Sequence, residues 1–254
     1  MTPTRRTAIL AGAFFLLTEI GAIVGRLLYA PVLNTPGYVL GTGVLGTGVP
    51  GAGRDSMVAV GVLFEVVLVI AVVGTAVVLY PVLRRHSPAL ALAYVAARIL
   101  EAAIILLGTI SLLTVLMLRQ QQPSFGESGG DGGALEAVAA GLLALQDGTL
   151  LFGPGFALGI GSILLASLMH SSRLVPRVIS ILGLAGGAII TLSTVLVIFG
   201  LYGQFSPIGL LVALPVFAWE VSLALWLILK GFDAAALERM ARRRVGAEPA
   251  VVTP

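Results

Sequence analysis

Seven ionisable side chains stand inside long apolar runs or at their edges: Glu19, Arg26, Glu65, Arg98, Glu101, Asp147 and Glu220. Acids and guanidinium groups withdrawn from water in this way form ion pairs, relay protons or neutralise a bound cation. Each costs about 2.5 to 3.5 kcal/mol at the centre of a bilayer if it faces lipid. All seven are therefore expected to face a protein interior. Glu19 and Arg26 are seven apart and share one helix face, and Arg98 and Glu101 are three apart, a spacing that permits an intrahelical pair. Five of the seven are acids and two are bases. Full ionisation would leave three negative charges unmatched, so protonation of some acids, or a cation or substrate amine, is expected to balance them. Proton relays and cation transporters use such an excess of buried carboxylate. The alternative is a static polar glue that holds helices together.

These groups need elements to carry them, and the composition says which. The chain has 254 residues, of which 58% are hydrophobic and 11% charged, and its mean hydropathy is +1.06. That is an integral membrane protein, with no room for a large water-soluble catalytic domain. Its net charge of +3 is not gathered on a water-facing module, so no nucleic-acid partner is expected. Cysteine is absent, which removes disulfides, thiolate nucleophiles, iron–sulfur sites and zinc fingers. Fourteen arginines against one lysine, in a chain rich in Ala, Gly, Val and Leu, point to a GC-rich bacterial genome.

Six spans are expected at 7–29, 58–83, 88–118, 149–169, 176–202 and 207–229. The first comes after Arg5 and Arg6 but runs on to Tyr29 without a small-residue cleavage site, so it reads as an uncleaved anchor. One set of helix ends carries Arg5, Arg6, Arg84, Arg85, Arg173, Arg177, Lys230, Arg239, Arg242, Arg243 and Arg244, and the other only Arg54 and Arg119. By the positive-inside rule both termini are cytoplasmic, in a bacterial inner membrane. The expected fold is an all-α bundle of six transmembrane helices.

The connections differ in character. Residues 30–57 form an external glycine-rich loop with the near repeat Gly41-Thr42-Gly43-Val44 and Gly46-Thr47-Gly48-Val49, which lacks the Lys-Ser/Thr ending of a phosphate loop. Residues 119–133 form a second polar external loop. The apolar stretch from Ala134 to Met169 is too long for one perpendicular span and divides at Gln146-Asp147-Gly148, which makes 134–147 an outer interfacial helix; one tilted, kinked helix is the alternative. Gly153-Pro154-Gly155 is expected to kink the fourth span near its outer end. Residues 232–244 read as a basic amphipathic helix on anionic lipid, with a disordered tail to 254.

Within the third span Ser87, Ala91, Tyr94, Arg98, Glu101, Ile105 and Gly108 keep a 3–4 step, the expected interior stripe. Pro215, five residues before Glu220, frees a backbone carbonyl where a polar cavity would use one, and Trp219 and Trp226 flank that acid. Glu101 and Arg98 are the central pair, with Glu19 and Glu220 as protonatable partners and Glu65 and Asp147 near an external entrance. No cofactor is expected. His86 and His170 both stand at cytoplasmic helix ends, where they are weak candidates for a metal and cannot ligate haem within the membrane. Serine-hydrolase and His-Glu-x-x-His motifs are missing, and Lys230 is too close to the edge to hold retinal.

Arg98-Ile99-Leu100-Glu101-Ala102-Ala103-Ile104, with Leu174-Val175-Pro176-Arg177 and the small residues Gly183, Gly186 and Gly187, resembles the bacterial membrane family labelled domain of unknown function 4386. The resemblance runs from about residue 7 to 229. It implies six or so spans with an Arg-x-x-Glu-Ala pair in a middle helix, and it carries no activity.

The residues leave three classes open: a small permease or ligand-binding membrane protein with an acidic cavity, a structural or accessory subunit, and an intramembrane acid/base enzyme acting on lipid. Beyond the lipid bilayer the partner is a small molecule, lipid or ion, and the pairs Gly155 with Gly159 and Gly183 with Gly187 allow close helix approach within or between subunits. Orientation is directly measurable: a cysteine introduced at Arg54 is expected to react with a membrane-impermeant thiol reagent added outside intact cells. Protection there until the cells are opened would reverse the topology.

Overall fold

A computed structural model describes residues 3–35, 37–40, 52–126 and 132–245. These residues form α1 (Pro3–Asn34), a short 3-10 turn (Tyr38–Leu40), α2 (Ala52–Leu83), α3 (Pro88–Gly126), α4 (Gly132–Leu150), a π-helical segment (Leu151–Ala157), α5 (Leu158–Ser172), α6 (Arg177–Ile198), α7 (Pro207–Leu229) and α8 (Ala234–Val245). No strand occurs among the described residues. Six helices are long and apolar enough to cross a membrane, with α4, the π segment and α5 counting as one. Large apolar side chains cover the outside, among them Leu27, Val178 and Phe199, while Arg98, Glu101 and Glu220 are buried. That inversion of the soluble pattern fits a bilayer environment.

Each span packs against its neighbour in sequence, and α7 returns to pack on α1, which closes a ring of six. Short turns such as Arg84–Ser87 leave the chain only antiparallel neighbours to choose. The helix ends with α8, which carry most of the arginines, will be called the basic end.

Three boundaries differ from those read off the sequence. The external loop expected over 30–57 is shorter, because α1 continues to Asn34 and α2 begins at Ala52; the two glycine-threonine repeats lie outside the described residues. Likewise α3 continues past Arg119 to Gly126, and 127–131 lie outside the described residues. The third concerns 134–147, which is no separate interfacial helix. Backbone runs helically through Gln146, Asp147 and Gly148, because none of these breaks the ladder. The disturbance comes later, at Pro154, where the missing N–H is accommodated by the wider π turn. The resulting 41-residue helix measures about 60 Å, twice a hydrocarbon core of about 30 Å. It therefore projects beyond the apolar belt beside the extended α3, and Leu112, Val115, Leu116 and Ala139 pack where these two meet Tyr29 and Tyr38.

The small residues serve internal packing. A Cβ on Gly186 would stand 2.8 Å from the Val216 nitrogen and 2.9 Å from the Pro215 carbonyl carbon, and one on Gly183 would stand 2.6 Å from the Trp219 ring. Here α6 lies directly on the α7 backbone. Pro215 thus faces a close helix contact where the sequence placed a polar cavity. Gly155 and Gly159 receive Thr194 and Thr191 of α6 in the same manner.

The last helix docks with its apolar face on the bundle. Ala236 and Met240 are buried in the main core, and Asp233 Oδ1 accepts the Ala236 N–H at 2.7 Å as an N-cap. Arg5 closes the same end by donating to the terminal carbonyls of α7, at 3.0 Å to Leu227 and 2.6 Å to Ile228, groups that no helical N–H reaches. Residues after 245 lie outside the described residues.

Gly186→Leu is expected to force α6 from α7 and cost about 1 to 3 kcal/mol of stability, read as a lower Tm in detergent. Gly148→Ala, where a Cβ meets nothing within 4 Å, is expected to hold or slightly raise the Tm, since alanine favours the helix.

Candidate functional site

The stripe on α3 turns inward as its spacing requires: Ala91, Tyr94, Arg98, Glu101, Ile105 and Gly108 are all buried. Arg98 is 1% exposed and reaches the centre of the ring. Its Nη1 donates to Glu101 Oε2 at 2.9 Å, one helical turn away, and its Nη2 donates to Glu220 Oε1 on α7 at 3.4 Å. From α2, Thr75 Oγ1 accepts Arg98 Nε at 3.3 Å and lies 3.3 Å from the Tyr94 hydroxyl. Phe15 of α1 places its ring under the guanidinium, 5.6 Å from its carbon. The aliphatic stem of Arg98 passes Gly161 of α5, where a Cβ would stand 3.6 Å from Arg98 Cδ.

Glu19 completes the cluster from α1. Its carboxyl approaches Glu220 and lies in the electrostatic range of Arg98 and Glu101. One guanidinium faces three carboxyls, so the cluster is neutral only when two positive charges join it, as two protons or as one proton and a monovalent cation. Glu101 and Glu220 are buried, whereas Glu19 is half-buried and forms the corner of the cluster nearest the outside of the bundle.

Arg26 belongs elsewhere. Seven residues of helix rise about 10 Å, so Arg26 keeps the face of Glu19 yet joins a different group. Tyr29 donates to Glu65 Oε1 at 2.9 Å, and Arg26 stands beside this pair. Its guanidinium lies 4.0 Å over the Phe205 ring, and Nη1 is buried without a hydrogen-bond partner. Farther out, Arg119 Nε pairs with Asp55 Oδ1 at 2.7 Å, and Tyr38 donates to the same oxygen at 3.0 Å. Arg119 also bonds the Tyr38 carbonyl.

Asp147, expected inside the bundle near an external entrance, does not face the interior. It is exposed on α4, because its neighbour Gln146 and Thr149 take the inward face against Gly108 of α3, and one residue turns the helix by about 100°. From Ser172 it is also about 37 Å along the helix, beyond a core of about 30 Å. His86 and His170 make separate contacts, with Ser171 at 2.9 Å and Ser180 at 3.0 Å. Among the described residues no group of three or more His, Asp or Glu could hold a metal ion.

Some partners were not singled out from the sequence: Thr75, Phe15, Gly161 and Tyr29. Tyr29 had a signal, three residues after Arg26 on a shared face. For Thr75 and Gly161 there was none, since their role depends on which helices meet at Arg98.

A family model described as "Domain of unknown function (DUF4386)" matches residues 10–231, most of the chain. The chain belongs to this family. No curated protein and no solved structure shows significant similarity to it. The DUF4386 match reaches all six spans, including the Arg98 and Glu101 pair and the Pro176-Arg177 opening of α6.

Removing the base strands three carboxyls, whereas removing one carboxyl leaves Arg98 with Glu220. Arg98→Gln is therefore expected to destabilise by about 3 to 5 kcal/mol and Glu101→Gln by clearly less. Thermal unfolding of both in detergent checks this; equal losses would mean that the guanidinium does not organise the cluster.

Proposed function

We propose that this protein is a small permease of a bacterial inner membrane that exchanges a proton or a monovalent cation at the cluster of Arg98, Glu101, Glu220 and Glu19, with both termini in the cytoplasm. The observation that carries this reading is the charge imbalance: three carboxyls surround one guanidinium inside the bundle. Static glue gains nothing from surplus acid, while an exchange site needs it. The cluster joins α1, α3 and α7, so a change in its charge alters contacts among three helices at once, a means of coupling occupancy to movement. The orientation rests on the arginines of the basic end.

The second reading is polar glue, and one observation favours it: Arg98, Glu101 and Glu220 are 1%, 3% and 6% exposed, so the cluster is closed to water in this conformation. A permease in its occluded state has the same property.

The two readings separate in proteoliposomes carrying an imposed pH gradient, tested with sodium and potassium in turn. The permease reading expects gradient decay faster than in protein-free vesicles, returning to background in Glu101→Gln while that variant stays folded at the assay temperature. Decay at the background rate with every cation, together with a cysteine at 101 that stays protected from thiol reagents during the gradient, would establish glue.

A further inference from the structure

At the basic end a cavity of about 270 Å³ opens between elements far apart in sequence. The turn between α2 and α3 supplies His86, the end of α5 supplies Ser171 and Arg173, and α8 supplies Arg239. Ala236 and Met240, the residues by which α8 docks, form its floor.

The walls are held in place. His86 Nε2 lies 2.9 Å from Ser171 Oγ, which ties the turn to α5. Asp233 caps α8 and donates its N–H to the Leu174 carbonyl at 3.0 Å, which fixes α8 beside α5. Arg173 ends α5 with a φ of 58°, a left-handed conformation that no other non-glycine shows among the described residues. Its side chain and that of Arg239 are both exposed at the cavity. Among the described residues no acid lines it.

We propose that this cavity binds a phosphate group, borne by an anionic lipid headgroup or by a free anion. Two guanidinium forks match phosphate oxygens in geometry and charge, while His86 and Ser171, bonded to each other, form the wall between them. The cavity stands where the apolar belt ends, the level of lipid headgroups. Because the apolar face of α8 is buried on the bundle, Arg239 shares the cavity with Arg173. That changes the role expected for this helix from general lipid anchoring to one wall of a defined site. The site is separate from the Arg98 cluster, and its test does not depend on transport.

The full chain serves for both arms of the experiment. In one, its Tm is followed in phosphatidylcholine nanodiscs as phosphatidylglycerol is added; in the other, in neutral detergent as inorganic phosphate is added at constant ionic strength. Arg173→Asn removes the charge with a residue that tolerates the left-handed conformation, and Arg239→Gln removes the second fork. Arg177→Gln takes the same charge from the same end outside the cavity. Saturable stabilisation is expected, with half-saturation shifted about tenfold or more by either cavity variant and unchanged by Arg177→Gln. A response in the lipid arm alone identifies a headgroup, and a response to inorganic phosphate identifies a free anion. No response in either arm, or an equal shift in Arg177→Gln, overturns the proposal.

Discussion

Burying one guanidinium in the middle of an apolar bundle constrains everything around it. Arg98 has donors that must be satisfied where water does not reach, so acceptors have to come from the neighbouring helices. Glu101 comes from its own helix, Thr75 from α2 and Glu220 from α7, while Gly161 of α5 makes space for the stem. These contacts fix the rotation of three helices about their axes. In lipid, where apolar surface gives helices little reason to prefer one face, such polar contacts are what specify a packing. The same group also sets the chemistry, because the acids gathered around it exceed its single charge.

The charged residues divide into layers along the bundle. At the centre is the Arg98 cluster; nearer the end opposite the arginines are Arg26, Tyr29 and Glu65; beyond them are Arg119, Asp55 and Tyr38. Each layer has its own base, so no charge has to be matched across a full helix length. Only the central layer carries clear surplus acid. The outer layers resemble clasps, tying α1 to α2 and α3 to the Tyr38 turn.

Between the layers, close packing is achieved by removing side chains. Gly183 and Gly186 let α6 lie on Trp219 and on the α7 backbone at Pro215, and Gly155 and Gly159 accept threonines of α6. This density leaves the central cluster with little room in the present conformation. Any movement that opens it has to shift whole helices, and Glu19 on α1 is its least buried acid.

Hydropathy and charge order are local properties of the chain, and they determined the membrane class, the six spans, the inward stripe of α3 and the pairing of Arg98 with Glu101, whose i to i+3 spacing holds in any helix. The same local reading ended the third span too early, since the polar residues after Leu118 stay helical to Gly126, and it left open whether 134–147 is continuous with the span that follows, which the chain settles as one long helix disturbed only at Pro154. It failed for Asp147 because the choice between two adjacent residues for the inner face rested on the Gly108 contact. Whether Arg26 joined Glu19 or Glu65, and which acid from α7 completed the site, depended on the axial offset and rotation of separate helices. Those quantities exist only between elements, so the closed ring decided them.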